Sequence, residues 1–224
     1  MLARTLRFLP GLVLALGSAA PLAADTSPGP VQSLALAVTL YDQAAVAGDA
    51  LQMAVAVRLA GGIALRDAGG WSSEVLKGKA GGEPPAPAPV PDLVLSPGAW
   101  SGAQLMAEED PVLADFLSLE PPPSLQGGAS RADGVLEPGR GVVWQLPFAG
   151  QSPAEITVFP MAAEGETRAR PPVWRVETAE GEMVCPSRHT SWPVCRFVPE
   201  ANGFFHVVIE NPGEQALPYA LVSN

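Results

Sequence analysis

Two cysteines, two histidines and one nearby tryptophan are the residues of this 224-residue chain best suited to chemistry. Cys185 and Cys195 are its only cysteines, and they bracket a segment that holds His189 and Trp192. A thiol serves as a nucleophile, a metal ligand or half of a disulfide. A metal site built from Cys185, His189, Cys195 and His206 would lack the closely spaced ligand pairs that zinc sites carry at each end. The spacing therefore argues against a metal. The simplest use of the pair is a disulfide closing a short loop, which contributes roughly 2–3 kcal/mol by restricting the unfolded chain. A cysteine held in that bond is no nucleophile.

Other catalytic arrangements are equally thin. The chain has no Gly-x-Ser-x-Gly elbow. His189 and His206 are its only bases of the usual kind, and the sequence assigns them neither a nucleophile nor an orienting carboxylate. No residue is given a catalytic role. A hydrolase using His189 or His206 with acidic partners is kept as the alternative to a binding protein, with a structural envelope component as a third reading. Glu108-Glu109-Asp110 fits a solvated helix boundary, and no Asp-x-Asp-x-Asp loop concentrates the acids for calcium. No cofactor is implied. Trp192, beside Pro193, offers a ring that stacks on a sugar or anchors a protein. Packing of that ring against the disulfide is the stronger expectation, with Trp192 and His189 as the candidate ligand contacts.

Charge narrows the partners. Against 23 acidic residues stand 13 basic ones, a formal net charge of -10. Nucleic acids and anionic membranes reward Lys and Arg, so neither is expected as a partner. Protein or carbohydrate remains. With 47% hydrophobic and 16% charged residues, the chain does not have the composition of a disordered acidic protein.

The first 24 residues have the three parts of a secretory signal: Arg4 and Arg7, an apolar run over 8–16, and a small-residue zone ending at Ala24. That run is shorter than the roughly 20 residues a membrane span needs. Cleavage near Ala24 and a periplasmic or secreted mature chain are expected, without a stable membrane span. Such a compartment is oxidising, which suits the cysteine pair.

These residues must be positioned by two kinds of structure. Residues 25–80 read as a helical hairpin region, with helices over 31–47 and 50–60; Pro30 suits a first helical position, Gly48 a C-terminal stop and Asp49 an N-cap. Leu34, Val38, Tyr41 and Ala45 mark one stripe, and Leu51, Val55 and Leu59 another. Residues 81–92 form a Pro-rich linker, since each proline fixes φ and removes a donor. Residues 93–134 read as short helices and linker, with helices over 101–109 and 110–119. Beyond 135 seven short runs between turn signals predict strands over 142–148, 155–161, 173–178, 182–185, 194–198, 204–210 and 216–223. The expected fold class is α+β, a helical N-terminal region followed by an antiparallel β-sandwich over 135–224.

That last segment resembles the bacterial pre-peptidase C-terminal (PPC) domain of secreted proteins. The resemblance covers about two fifths of the chain. It rests on Val143-Trp144-Gln145-Leu146-Pro147-Phe148, on Val176-Glu177-Thr178-Ala179-Glu180-Gly181 leading to Cys185, and on the closing runs Gly203-Phe204-Phe205-His206-Val207-Val208-Ile209 and Tyr219-Ala220-Leu221-Val222. It implies a jelly-roll-like sandwich in a non-catalytic accessory role. Where many relatives carry aspartates on the middle strand, this chain has Val173, Trp174 and Arg175, so no calcium site is carried over.

Overall fold

The computed structural model describes residues 28–76, 94–118, 127–160, 172–186 and 193–224. The signal-like residues 1–24, the Pro-rich residues 81–92, His189 and Trp192 lie outside the described residues. Helices α1 (Pro30–Ala47) and α2 (Ala50–Gly61) form the expected hairpin. Gly48 closes α1 in the left-handed region at φ 69°, which a residue without Cβ adopts freely. The Asp49 carboxylate accepts the Gln52 N–H at 2.9 Å and starts α2. Two further helices, α3 (Pro97–Met106) and α4 (Pro111–Ser118), follow. Asp110 accepts the N–H groups of Val112 and Leu113 at 3.0 and 3.1 Å, so the Asp-Pro start of α4 works as its sequence predicts. Helix α3 begins four residues earlier than expected, because Pro97 supplies a second N-terminal proline with its φ already helical.

Strands β3 (Gly127–Leu136), β4 (Gly141–Phe148), β5 (Ala154–Pro160), β6 (Val173–Thr178), β7 (Met183–Cys185), β8 (Cys195–Phe197), β9 (Gly203–Glu210) and β10 (Leu217–Ser223) divide between two sheets. One runs β3-β10-β5-β8 and the other β4-β9-β6-β7. That is the order of an eight-strand jelly roll. All seven expected strands are present, and the class is α+β. Two added strands widen it. Strand β1 (Ile63–Asp67) pairs parallel to β3 at the edge of the first sheet, and β2 (Ser72–Val75) pairs antiparallel to β4 at the edge of the second. Trp71, on the crossing between them, meets Trp144 edge to face at 6.4 Å.

Strands β1 and β2, and all but the last two residues of β3, lie ahead of Val135, in stretches where sequence predicts helices and linker. Many of their residues are Gly, Ala, Ser or charged, with little strand preference, and pairing of β2 with β4, of β3 with β10 and of β1 with β3 imposes the extended form. The buried helix faces also differ from expectation. Leu51 and Val55 stand 49% and 48% exposed, whereas Met53, Ala54, Ala56 and Ala60 are buried. A helix apolar all round has no preferred stripe by hydrophobicity, and its small residues face the contact that demands the closest approach.

Period-two alternation builds three layers. Ile156 and Val158 of β5, and Leu217, Tyr219 and Leu221 of β10, join Leu146, Trp174, Val176, Val207 and Ile209 in the core between the sheets. Their neighbours Phe159, Ala220 and Val222 point the other way and pack with Val31, Leu34, Ala35 and Val38 of α1. Every residue of β5 is buried, because both faces of the first sheet are covered. Inside the sandwich the Trp144 indole N–H donates to the Tyr219 hydroxyl at 2.7 Å.

The sheet residue that meets the start of α1 is Glu155. Its carboxylate accepts the N–H groups of Gly29, Val31 and Gln32, each at 3.1 Å, and the Nε–H of Arg196 at 3.1 Å. Helix α1 has no side-chain cap and no acidic residue in its own first turn. Glu155 therefore satisfies its free donors and its positive dipole end from another layer. A Cβ on Gly29 would collide with that carboxylate, so the glycine is required by the contact.

Two outcomes follow from these buried groups. Glu155→Ala, which leaves three amide donors and one guanidinium without their acceptor, lowers unfolding stability by about 3 kcal/mol in urea titration. Burial pushes the Tyr219 hydroxyl up to about 12, with the Asp133 charge adding to the effect and the Trp144 hydrogen bond opposing it. A tyrosine whose folded value lies above its unfolded value of 10.0 stabilises the fold fully below pH 10, and this contribution disappears as pH rises toward 12. In a Tyr41→Phe variant, tyrosinate absorbance stays flat through pH 10 while the fold persists.

Candidate functional site

Helix α1 packs on the outer face of the first sheet, and among the described residues the outer face of the second is left open. Its residues are the ones that alternate with the core set. Gln145 on β4, His206 on β9, Glu177 on β6 and Met183 on β7 stand in register across it, with Ser72 of β2 beyond Gln145. A second row runs from Glu74 through Val143 and Val208 to Arg175. Pro147 and Phe204 pair at one end, and Glu210 lies at the other, opposite Gly141 and Val173. Phe204 is 50% exposed and Met183 55%, whereas Val208 is buried at the centre.

Charge on this face is partly matched. Arg175 Nε lies 2.5 Å from Glu177 Oε1, and its Nη1 lies 3.5 Å from Glu210 Oε2. The Ser72 hydroxyl donates to Gln145 Oε1 at 3.4 Å. Glu74 is exposed on the edge strand.

The expected disulfide is present. Cys185 ends β7 and Cys195 begins β8, with their Cα atoms 5.9 Å apart. These strands are edges of opposite sheets. The bond therefore links the two sheets directly, a role that spacing alone did not reveal. His206 joins Gln145 and Glu177 on the open face rather than the cysteines. Among the described residues, no three His, Cys, Asp or Glu side chains gather where a metal would be held.

A separate cleft of about 360 Å³ opens beside β1 and β3, lined by Leu65, Arg66, Asp67, Arg131 and Asp133. Arg131 and Asp133 bind each other across it, Nε to Oδ1 at 2.7 Å and Nη2 to Oδ2 at 3.0 Å. Charges so paired already satisfy one another. The open face was the part of the site missed from sequence, although the alternation of Phe204, His206 and Val208 with Phe205, Val207 and Ile209 carried its signal.

No family model matches the chain, and no curated protein matches it. Among solved structures it is similar to PliG, a periplasmic lysozyme inhibitor of g-type lysozyme from Aeromonas hydrophila, at 9% identity and a TM-score of 0.32, over 43% of this chain and 84% of that one. It is also similar to a family 35 carbohydrate binding module from Clostridium thermocellum, at 20% identity and a TM-score of 0.20, over 42% of this chain and 90% of that one. Both scores are too low to carry an argument, and the functional reading rests on the residues of the chain itself.

Proposed function

We propose that the chain is a periplasmic or secreted, non-catalytic binding protein, and that the open face of its second sheet contacts a protein or carbohydrate ligand. The observation that carries the reading is the asymmetry of the sandwich. The central strands of one sheet, β5 and β10, are buried on both faces, while the other sheet offers exposed Phe204, Met183 and Pro147 among Gln145, His206, Glu177 and Glu74. Exposed apolar groups interleaved with polar ones are the composition of a contact surface.

Location outside the cytoplasm is supported by the signal-like first 24 residues and by the disulfide. No helix among the described residues is long and apolar enough to cross a membrane. The jelly-roll strand order supports kinship with pre-peptidase C-terminal domains, and with it an accessory role.

The test is a pair of surface substitutions. Phe204→Ser with His206→Ala should abolish the signals the mature protein gives on arrays of glycans and envelope proteins, while shifting the unfolding temperature by no more than about 2 °C, since Phe204 is half exposed and His206 lies on the outer face rather than in the core. Signals unchanged by the double variant rule out this face. Turnover of esters, peptides or glycosides that disappears with His206→Ala would instead favour a hydrolase.

A further inference from the structure

Resting on that reading, we infer that the open face takes a cationic protein surface rather than a glycan. Sugar platforms need exposed aromatic faces, with tryptophan foremost. The described tryptophans are spent elsewhere. Trp174 is buried in the core, Trp144 is bonded to Tyr219, Trp71 packs edge-on against Trp144, and Trp100 lies under the Arg58 guanidinium, 5.3 Å from its ring centre. Phe204 is the aromatic side chain that the open face exposes.

What the face does carry is apolar anchors and a carboxylate excess. Phe204, Pro147 and Met183 supply contact area at one side. Glu74, Glu177 and Glu210 supply negative charge, and Arg175, already against two of them, is the cation among them. The described residues contain no lysine. Of the other described arginines, Arg58 lies against the Trp100 and Phe116 rings, Arg131 pairs with Asp133 and Arg196 with Glu155, while Arg140 precedes Gly141 at the Glu210 end of the face. The whole chain carries a formal charge of -10, and its field adds to that of these carboxylates. A partner that sets Lys or Arg around an apolar patch is steered by that field and complements both components.

The experiment titrates isotope-labelled mature protein with ribonuclease A as a compact cationic probe, with α-lactalbumin as an acidic one and with maltohexaose. Ribonuclease A is expected to shift amide resonances of β4, β6 and β9, and the other two are expected to leave them unmoved. Glu74→Gln with Glu210→Gln should weaken the cationic complex by about tenfold, the scale of a modest electrostatic contribution. Glu108→Gln with Glu109→Gln, the same charge change between α3 and α4, should alter it by less than about twofold. Equal weakening in both double variants overturns the inference, because attraction would then follow net charge rather than this face. Shifts of the same amides by maltohexaose overturn the cationic partner and leave the face as a binding surface. Amides of the face that move with no probe overturn both.

Discussion

The buried carboxylate of Glu155 is the interaction on which the layered architecture depends. Removing an ionised carboxylate from water costs several kcal/mol unless good partners replace the water. Here three backbone N–H groups and the Arg196 guanidinium do so. Charge-assisted hydrogen bonds of this kind are the strong ones. They also set direction, because they form only when the first turn of α1 sits over β5. Arg196 then extends the connection to β8, where its neighbour Cys195 is bonded to Cys185 of β7. A continuous line of charged, backbone and covalent contacts thus runs from the helical layer through the first sheet to the edge of the second.

The consequence is an inequality between the two sheet faces. Covering the first sheet with α1 demands apolar residues on both its sides, which is why β5 and β10 are buried almost throughout. Ala220 and Val222 keep that contact close, while Tyr219 and Leu221 fill the sandwich. No helix among the described residues performs this service for the second sheet. Its strands keep the simple alternation of a half-exposed surface, with the core on one side and Gln145, His206, Glu177, Arg175 and Phe204 on the other. The proposed binding role is placed on this leftover face, whereas in the cleft near β1 Arg131 and Asp133 are paired with each other.

Much of this was legible from residues. Strong alternation and turn signals located the strands from β4 onward, and the Gly48, Asp49 and Asp110 signals located three helix ends. Composition and cysteine pairing foretold the disulfide. What escaped had a common cause. Strand β3, with its Gly, Ala, Ser and Asp residues, is extended because β10 and β1 pair with it, a fact located far away in sequence. Glu155 looked like one more acidic residue of an acidic chain until a helix start 124 residues away from it met its carboxylate. The stripe on α2 was misjudged because contact selected Ala54, Ala56 and Ala60 over Leu51 and Val55, which hydrophobicity alone ranks the other way. For Trp192 and His189 the expectation of ligand contact is carried only by sequence, since both lie outside the described residues.

Glu155 holds the helical layer on the first sheet, and the central strands of the second sheet keep their protection when that hold is loosened. Amide hydrogen exchange of the Glu155→Gln variant tests this most directly, because it reports each layer separately. The account predicts faster exchange in the first turn of α1 at Val31 and Gln32, spreading to β5, with β4, β6 and β9 exchanging as in the unaltered protein. Unchanged protection of the α1 first turn, or equal loss of protection in both sheets, would contradict it.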